Sequence, residues 1–301
     1  MALLPAWYPP SRENWETFVW VWQVAMPALG NVQWLVSWYG MGKTSVASRF
    51  NIPGRLAWFT MEAPGFLTLA YIMKTMPAAH GITDLPWQNR VLAGLFVIHY
   101  TYRAVLFPYL QPSMSPIHIL VWSAAVTFQL CNATSIGCWL AAYGPTTAEA
   151  WAAAGPFPTA RFVLGILVFY LGLSSNFFHD EALREIRRSE ARRQEKVRRE
   201  QGGSAKGIEK HYRVPEGIEK HYRVPEAGLF RWILYPHYLC EWIEWAGFWM
   251  AAGWGCIPAR AFLINEVATM LPRAVRGRWW YLEKFGEEKV GKKWAVLPGV
   301  Y

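Results

Sequence analysis

The chain has 301 residues, of which 53% are apolar, 19 Trp and a formal net charge of +9. Apolar runs of about 20 residues, each long enough to cross a bilayer, recur along it and exclude an ordinary water-soluble domain. The basic charge clusters in segments that fall on one side of these runs, as orientation signals do, and this excludes reading it as a nucleic-acid footprint.

Met1–Glu16 is polar and Pro-rich with no basic start, so no cleavable signal is expected, and the first span, about residues 17–38, would serve as an uncleaved one. Tyr39-Gly40-Met41-Gly42-Lys43-Thr44 looks like a phosphate loop, but Ser37 stands where that pattern needs Gly and no strand precedes it. A tight turn is expected there. The second span, about 55–75, carries Glu62, with Pro64 removing a helical donor beside it. A carboxyl in apolar surroundings prefers its neutral form, which could donate a hydrogen bond to a carbonyl. In the third span, about 91–110, Tyr100 and Arg103 are three residues apart and share a helical face. A phenol beside a neutral carboxyl makes a pair of donors for a developing oxyanion. His99 is expected to pack and be satisfied.

The fourth span, about 116–143, holds Cys131, Cys138 and a mid-span Asn132-Ala133-Thr134 sequon that is expected to stay unused. With Cys240 and Cys256, these cysteines lack paired metal spacing and are expected as packing residues. The fifth span, about 160–180, ends in Asn176, Asp180, Arg184 and Arg187, spaced 4, 4 and 3 as one polar stripe. Glu181–Glu200 repeats Glu and Arg at i,i+4 and is expected to extend that helix into water. Gly202 and Gly203 break it, and GIEKHYRVPE then occurs twice, at 207–216 and 217–226. The second copy leads directly into the next span, which favours Tyr222 and Arg223 over Tyr212 and Arg213.

The sixth span, about 230–252, carries His237, Glu241 and Glu244 as a second stripe. No third strong ligand accompanies them, so no metal is expected. The seventh, about 254–272, is the weakest, being interrupted by Arg260, Asn265 and Glu266. No G-x-G-x-x-G follows a strand-like run, so a dinucleotide would be held by helix side chains and not by a Rossmann domain. Ser37–Arg55, Leu183–Arg223 and the tail after Arg273 are basic and are placed in the cytosol. An odd number of spans then puts the N-terminus in the lumen.

Ordered along the chain are short motifs: Tyr39-Gly40 with Gly42-Lys43; Gly54-Arg55-Leu56-Ala57-Trp58-Phe59 through Glu62-Ala63-Pro64; His99-Tyr100 with Arg103; Asn176 with His179-Asp180 and Leu183-Arg184; Tyr222-Arg223-Val224-Pro225 with Gly228-Leu229-Phe230; Glu241 with Ile243-Glu244-Trp245; and Arg273-Ala274, Trp280-Tyr281-Leu282, Phe285 and Leu297-Pro298. In order and spacing the chain resembles the steroid 5α-reductase family, polytopic NADPH-dependent enzymes of the endoplasmic reticulum. The resemblance implies that Glu62 and Tyr100, with Trp58 beside them, hold the 3-keto oxygen of an enone lipid. It implies that Asn176, Asp180, Arg187, Tyr222, Glu241, Arg273 and Tyr281 surround NADPH, with Arg103 between cofactor and substrate; Arg184, Arg223 and His237 are further candidate cofactor contacts. Hydride would go to the β-carbon of the enone.

Three departures stand out. His237 replaces an expected Asn, Arg276-Gly277-Arg278 replaces a stretch with an expected His, and Gln111–Ser115 lacks the expected basic residues. Grip on the 2′-phosphate would then fall to Arg184, Arg187 or the Arg-rich insertion at about 185–226.

The expectation is a single all-α, seven-span membrane domain that reduces a 3-oxo-Δ4 steroid or sterol-like substrate with NADPH. Its partners would be that substrate and membrane lipids, with no nucleic acid, and it would act as a monomer. A related reductase of polyprenol or trans-2-enoyl-CoA, and a membrane methyltransferase, stay open as alternatives.

Overall fold

In the computed structural model, residues 4–200 and 223–300 are described. Tyr212, Arg213, Tyr222, the Gly202-Gly203 break and most of the duplication lie outside them. The described residues are mostly helical, and their one sheet is a two-stranded pairing. Helix α1 is Arg12–Asn31, α2 Gly54–Ala79 and α3 Trp87–Tyr100. A π-helical turn, Thr101–Leu106, joins α3 to α4, Phe107–Leu110. Helix α5 is Ile119–Cys138, extended by a π turn to Tyr143, and α6 is Ala148–Ala152. Helix α7 runs unbroken for 43 residues, Pro158–Glu200. The last three are α8, Pro236–Ala252, α9, Ile257–Phe285, and α10, Glu287–Val290. Strand β1, Asn51–Ile52, pairs antiparallel with β2, Ile117–His118.

Each of the seven apolar runs falls on a helix. By length and composition four are apolar enough to cross a membrane: Gly54–Ala79, Trp87–Leu110, Ile119–Tyr143 and Pro158–Lys196. The predicted ends shift where backbone chemistry intervenes. Residues 230–235 are not the start of α8: Gly228 at φ +55° opens a 3₁₀ turn, and Pro236 then occupies the first helical position. The first run stops at Asn31 and not at 38. The expected tight turn follows, with Gly40 at φ +57° accepting at its carbonyl from the His118 N–H at 3.0 Å.

The closest packing is α7 on α8. A Cβ on Gly172 would lie 2.3 Å from the Glu244 nitrogen, one on Gly165 2.4 Å from that of Ala251, and one on Gly247 2.4 Å from that of Phe169. In lipid there is little hydrophobic drive between helices, and such small residues let backbones touch and dispersion hold them. Trp245 is the post around which the core is built. Its ring meets Phe262 at 4.3 Å, His99 at 4.7 Å and Phe248 at 5.4 Å.

The C-terminal segment is strapped back onto the bundle. Leu234 and Tyr235 N–H donate to the Trp294 and Ala295 carbonyls, and Arg278 Nε donates to the Lys293 carbonyl at 2.8 Å. The Lys293 ammonium, which burial pushes below its ordinary range against the pull of Glu226, donates to the Pro225 carbonyl at 3.3 Å.

Gly172→Val should force α7 from α8 and lower stability by about 1–3 kcal/mol. Gly94→Ala, where an added Cβ meets nothing within 4 Å, should hold or slightly raise it by helix propensity. Thermal unfolding in detergent separates the two.

Candidate active site

The α7–α8 contact brings the two polar stripes together. Asn176, one turn beyond Gly172, donates to the His237 carbonyl at 3.1 Å and to Glu241 Oε2 at 3.2 Å. The π turn that follows α3 supplies the cation between them. Arg103 lies 3.7 Å from Asp180 and 3.8 Å from Glu241, with its guanidinium over the Phe107 and Trp58 rings. The π turn places it there, because its wider winding turns both Tyr102 and Arg103 toward α7. Trp58 ties α2 to this turn by donating its indole N–H to the Arg103 carbonyl at 2.9 Å.

One turn further out, Asp180 accepts from the Tyr102 hydroxyl at 2.9 Å, and the fully buried Arg184 donates to the same hydroxyl at 2.6 Å and pairs with Glu181 at 2.5 Å. Arg187 is exposed and reaches Gln111 at 3.3 Å, so the stripe passes from buried to exposed at this residue. Arg223 is also exposed and pairs with Glu190 at 3.4 Å.

Glu62 and Tyr100 form the inner end. Tyr100 is 2% exposed and packs against Phe96, His99 and Trp245. Gln129 of α5 lies between the two: its Nε2 donates to Glu62 Oε2, and its amide faces the Tyr100 hydroxyl. Glu266 of α9 faces the same region and interacts electrostatically with Glu241, Glu62 and Arg103. His99 is satisfied, by a 2.8 Å bond from Nδ1 to Glu244.

A second group surrounds Arg273, whose Nε donates to Gln33 at 2.6 Å and whose guanidinium covers the Tyr39 ring. Tyr238 interacts with Arg273 and Tyr39 and also with Glu241 and Arg103, joining the two groups. Tyr281 packs with Leu234, Val290 and Phe285, at the edge of this region. At Gly277, where a His is expected, a Cβ would lie 1.7 Å from the Tyr235 hydroxyl. That Tyr fills the space a larger residue would take.

Glu62, Tyr100, Arg103, Asn176, Asp180, Arg184, His237 and Glu241 therefore share one buried region, with Trp58 bounding it. Arg187 and Arg223 stand at its outer end, Arg273 and Tyr281 beside it, and Tyr222 lies outside the described residues. Sequence reasoning misses Tyr102, Gln129 and Glu266 as site residues. Two surface grooves, of about 400 and 440 Å³, lie away from this region, one along Met73 and Leu85 and the other along Pro27 and Leu263.

Residues 115–202 and 209–301 match the family described as 3-oxo-5-alpha-steroid 4-dehydrogenase. The chain is 27% identical over 303 residues to a steroid 5-alpha-reductase of Solanum lycopersicum, covering 97% of this chain and 99% of that one. It is 27% identical over 279 residues to human 3-oxo-5-alpha-steroid 4-dehydrogenase 2, covering 92% and 93%. An uncharacterized Schizosaccharomyces pombe protein is 30% identical over 267 residues, covering 85% and 87%.

Arg184→Leu would leave Asp180 with one cation fewer in a buried setting. Breaking such a network on one side should lower stability by about 3–5 kcal/mol, and Arg184→Lys should recover part of it. Chemical or thermal unfolding in detergent reads this directly.

Proposed function

The chain belongs to the 3-oxo-5-alpha-steroid 4-dehydrogenase family, and from that premise we propose that it is an NADPH-dependent membrane reductase of the C=C bond in a 3-oxo-Δ4 steroid or similar enone lipid. We place it in the endoplasmic reticulum membrane with its basic segments in the cytosol, as one reductase domain.

The residues present fit a nicotinamide dinucleotide. Asn176 Oδ1 and His237 Nδ1 are buried without a hydrogen-bond partner, and they stand beside Glu241. An unpartnered acceptor and a ring nitrogen there suit a carboxamide, which both donates and accepts. Asn176, Asp180, His237 and Glu241 would hold this end. Arg187 and Arg223 would meet phosphates at the outer end, where a planar guanidinium pairs well with them. Arg273 and Tyr281 would line the side. When bound, NADPH supplies a hydride.

The observation that carries the reading is the convergence of Glu62 and Tyr100 on Gln129 in the buried interior. The two side chains donate hydrogen bonds to the 3-keto oxygen of the substrate. As the β-carbon is reduced, negative charge grows on that oxygen, and donors already aimed at it in a dry site stabilise it more than water can. Arg103, fixed between Asp180 and Glu241, stands between the nicotinamide end and the carbonyl site. Trp58 bounds the apolar space in which the ring system lies.

Purified protein in detergent should oxidise NADPH with progesterone or testosterone. Glu62→Gln and Tyr100→Phe should each lower kcat by roughly 10²–10³-fold while the Kd for NADPH holds. Turnover of a polyprenol or a trans-2-enoyl thioester with no turnover of any enone would contradict the proposal.

A further inference from the structure

Gln129 is not among the residues to which the motifs point, yet it touches both members of the carbonyl site. It is 5% exposed in the middle of α5. Its amide lies across the face of α2 from Glu62 to Gly65, three residues on. The Nε2 end donates to Glu62 Oε2. The Oε1 end rests over Gly65, where a Cβ would lie 2.6 Å from it, and it has no hydrogen-bond partner. The same Cβ would lie 3.6 Å from the Tyr100 ring. Glycine at 65 thus makes the space in which one amide reaches Glu62 and Tyr100 together.

We propose that Gln129 is a positioning residue that decides which oxygen of Glu62 carries the proton. This rests on the carbonyl-binding reading given above. A carboxyl oxygen that accepts from an amide N–H has its lone pairs engaged, so the proton of the neutral acid sits on the other oxygen. Here the engaged atom is Oε2, which leaves Oε1–H as the donor to the substrate. Without the amide, the proton exchanges between two oxygens and the carboxyl rotates. Part of the donor's alignment is then lost, and small misplacements of a catalytic group lower rate steeply.

The test uses Gln129→Met, which keeps length and volume but removes the donor, and Gly65→Ala, which pushes the amide aside while leaving Gln129 in place. Both should lower kcat by roughly 10²-fold, with NADPH Kd unchanged. Combined with each other or placed in the Glu62→Gln background, they should add almost nothing, because all three act through one hydrogen bond. A second reading uses the bound enone in place of turnover: the infrared stretch of a ¹³C-labelled 3-keto group should lie lower in wild type than in Gln129→Met. Full additivity with Glu62→Gln, or an unmoved carbonyl stretch, overturns the inference while leaving the reductase reading intact. Wild-type protein that reduces no enone overturns both.

Discussion

The bundle is organised around one constraint: a guanidinium placed among apolar helices must be met by carboxylates. An ionised side chain in hydrocarbon is unfavourable by several kcal/mol or more unless partners surround it. Arg103 has two, Asp180 on α7 and Glu241 on α8, at 3.7 and 3.8 Å. Neither acid can reach it unless α7 and α8 touch along Gly165, Gly172 and Gly247, and α3 must wind as a π turn to present it. Satisfying one cation thus fixes the relation of three helices.

The same contacts order the site. Backbone-to-backbone packing of α7 on α8 sets Asn176 opposite His237 and Glu241, and leaves Asn176 Oδ1 and His237 Nδ1 without a hydrogen-bond partner. Trp245 props Tyr100 from one side, while α5 props Glu62 from the other through Gln129. Groups held this firmly need no reorganisation when charge develops on a substrate, which is the main way a preorganised site lowers a barrier. The outer end differs in kind: Arg187 and Arg223 are exposed.

Much of this is legible along the chain because helices are periodic. The spacing Asn176, Asp180, Arg184 describes a real stripe, since α7 is unbroken through it. Glu62, Tyr100 and Arg103 stand out because charge and phenol are conspicuous in apolar runs. Periodicity fails where winding changes: Tyr100 and Arg103 are not related by a regular turn, and Tyr102, which binds Asp180 and Arg184, enters only through the π segment. Gln129 is invisible for another reason. A lone amide mid-span has no local partner, and its role depends on a glycine three residues past Glu62 on another helix. Glu266 stands in the sequence as an interruption of a span, whereas in the fold it turns inward toward Glu241 and Glu62. At Gly277 the sequence shows a missing histidine, and only the fold shows Tyr235 occupying its space.

The central claim is that the buried carbonyl site and the Asn176–Glu241 region serve one reaction, a hydride transfer to an enone. The most direct measurement incubates the purified protein with NADPH deuterated at C4 of the nicotinamide and a 3-oxo-Δ4 steroid, and locates the label in the product by mass spectrometry and NMR. The account predicts one deuterium on the former β-carbon, none at the α-carbon, and a 3-keto group still intact. Label at C3 of a product alcohol, or reduced steroid carrying no label, would contradict it.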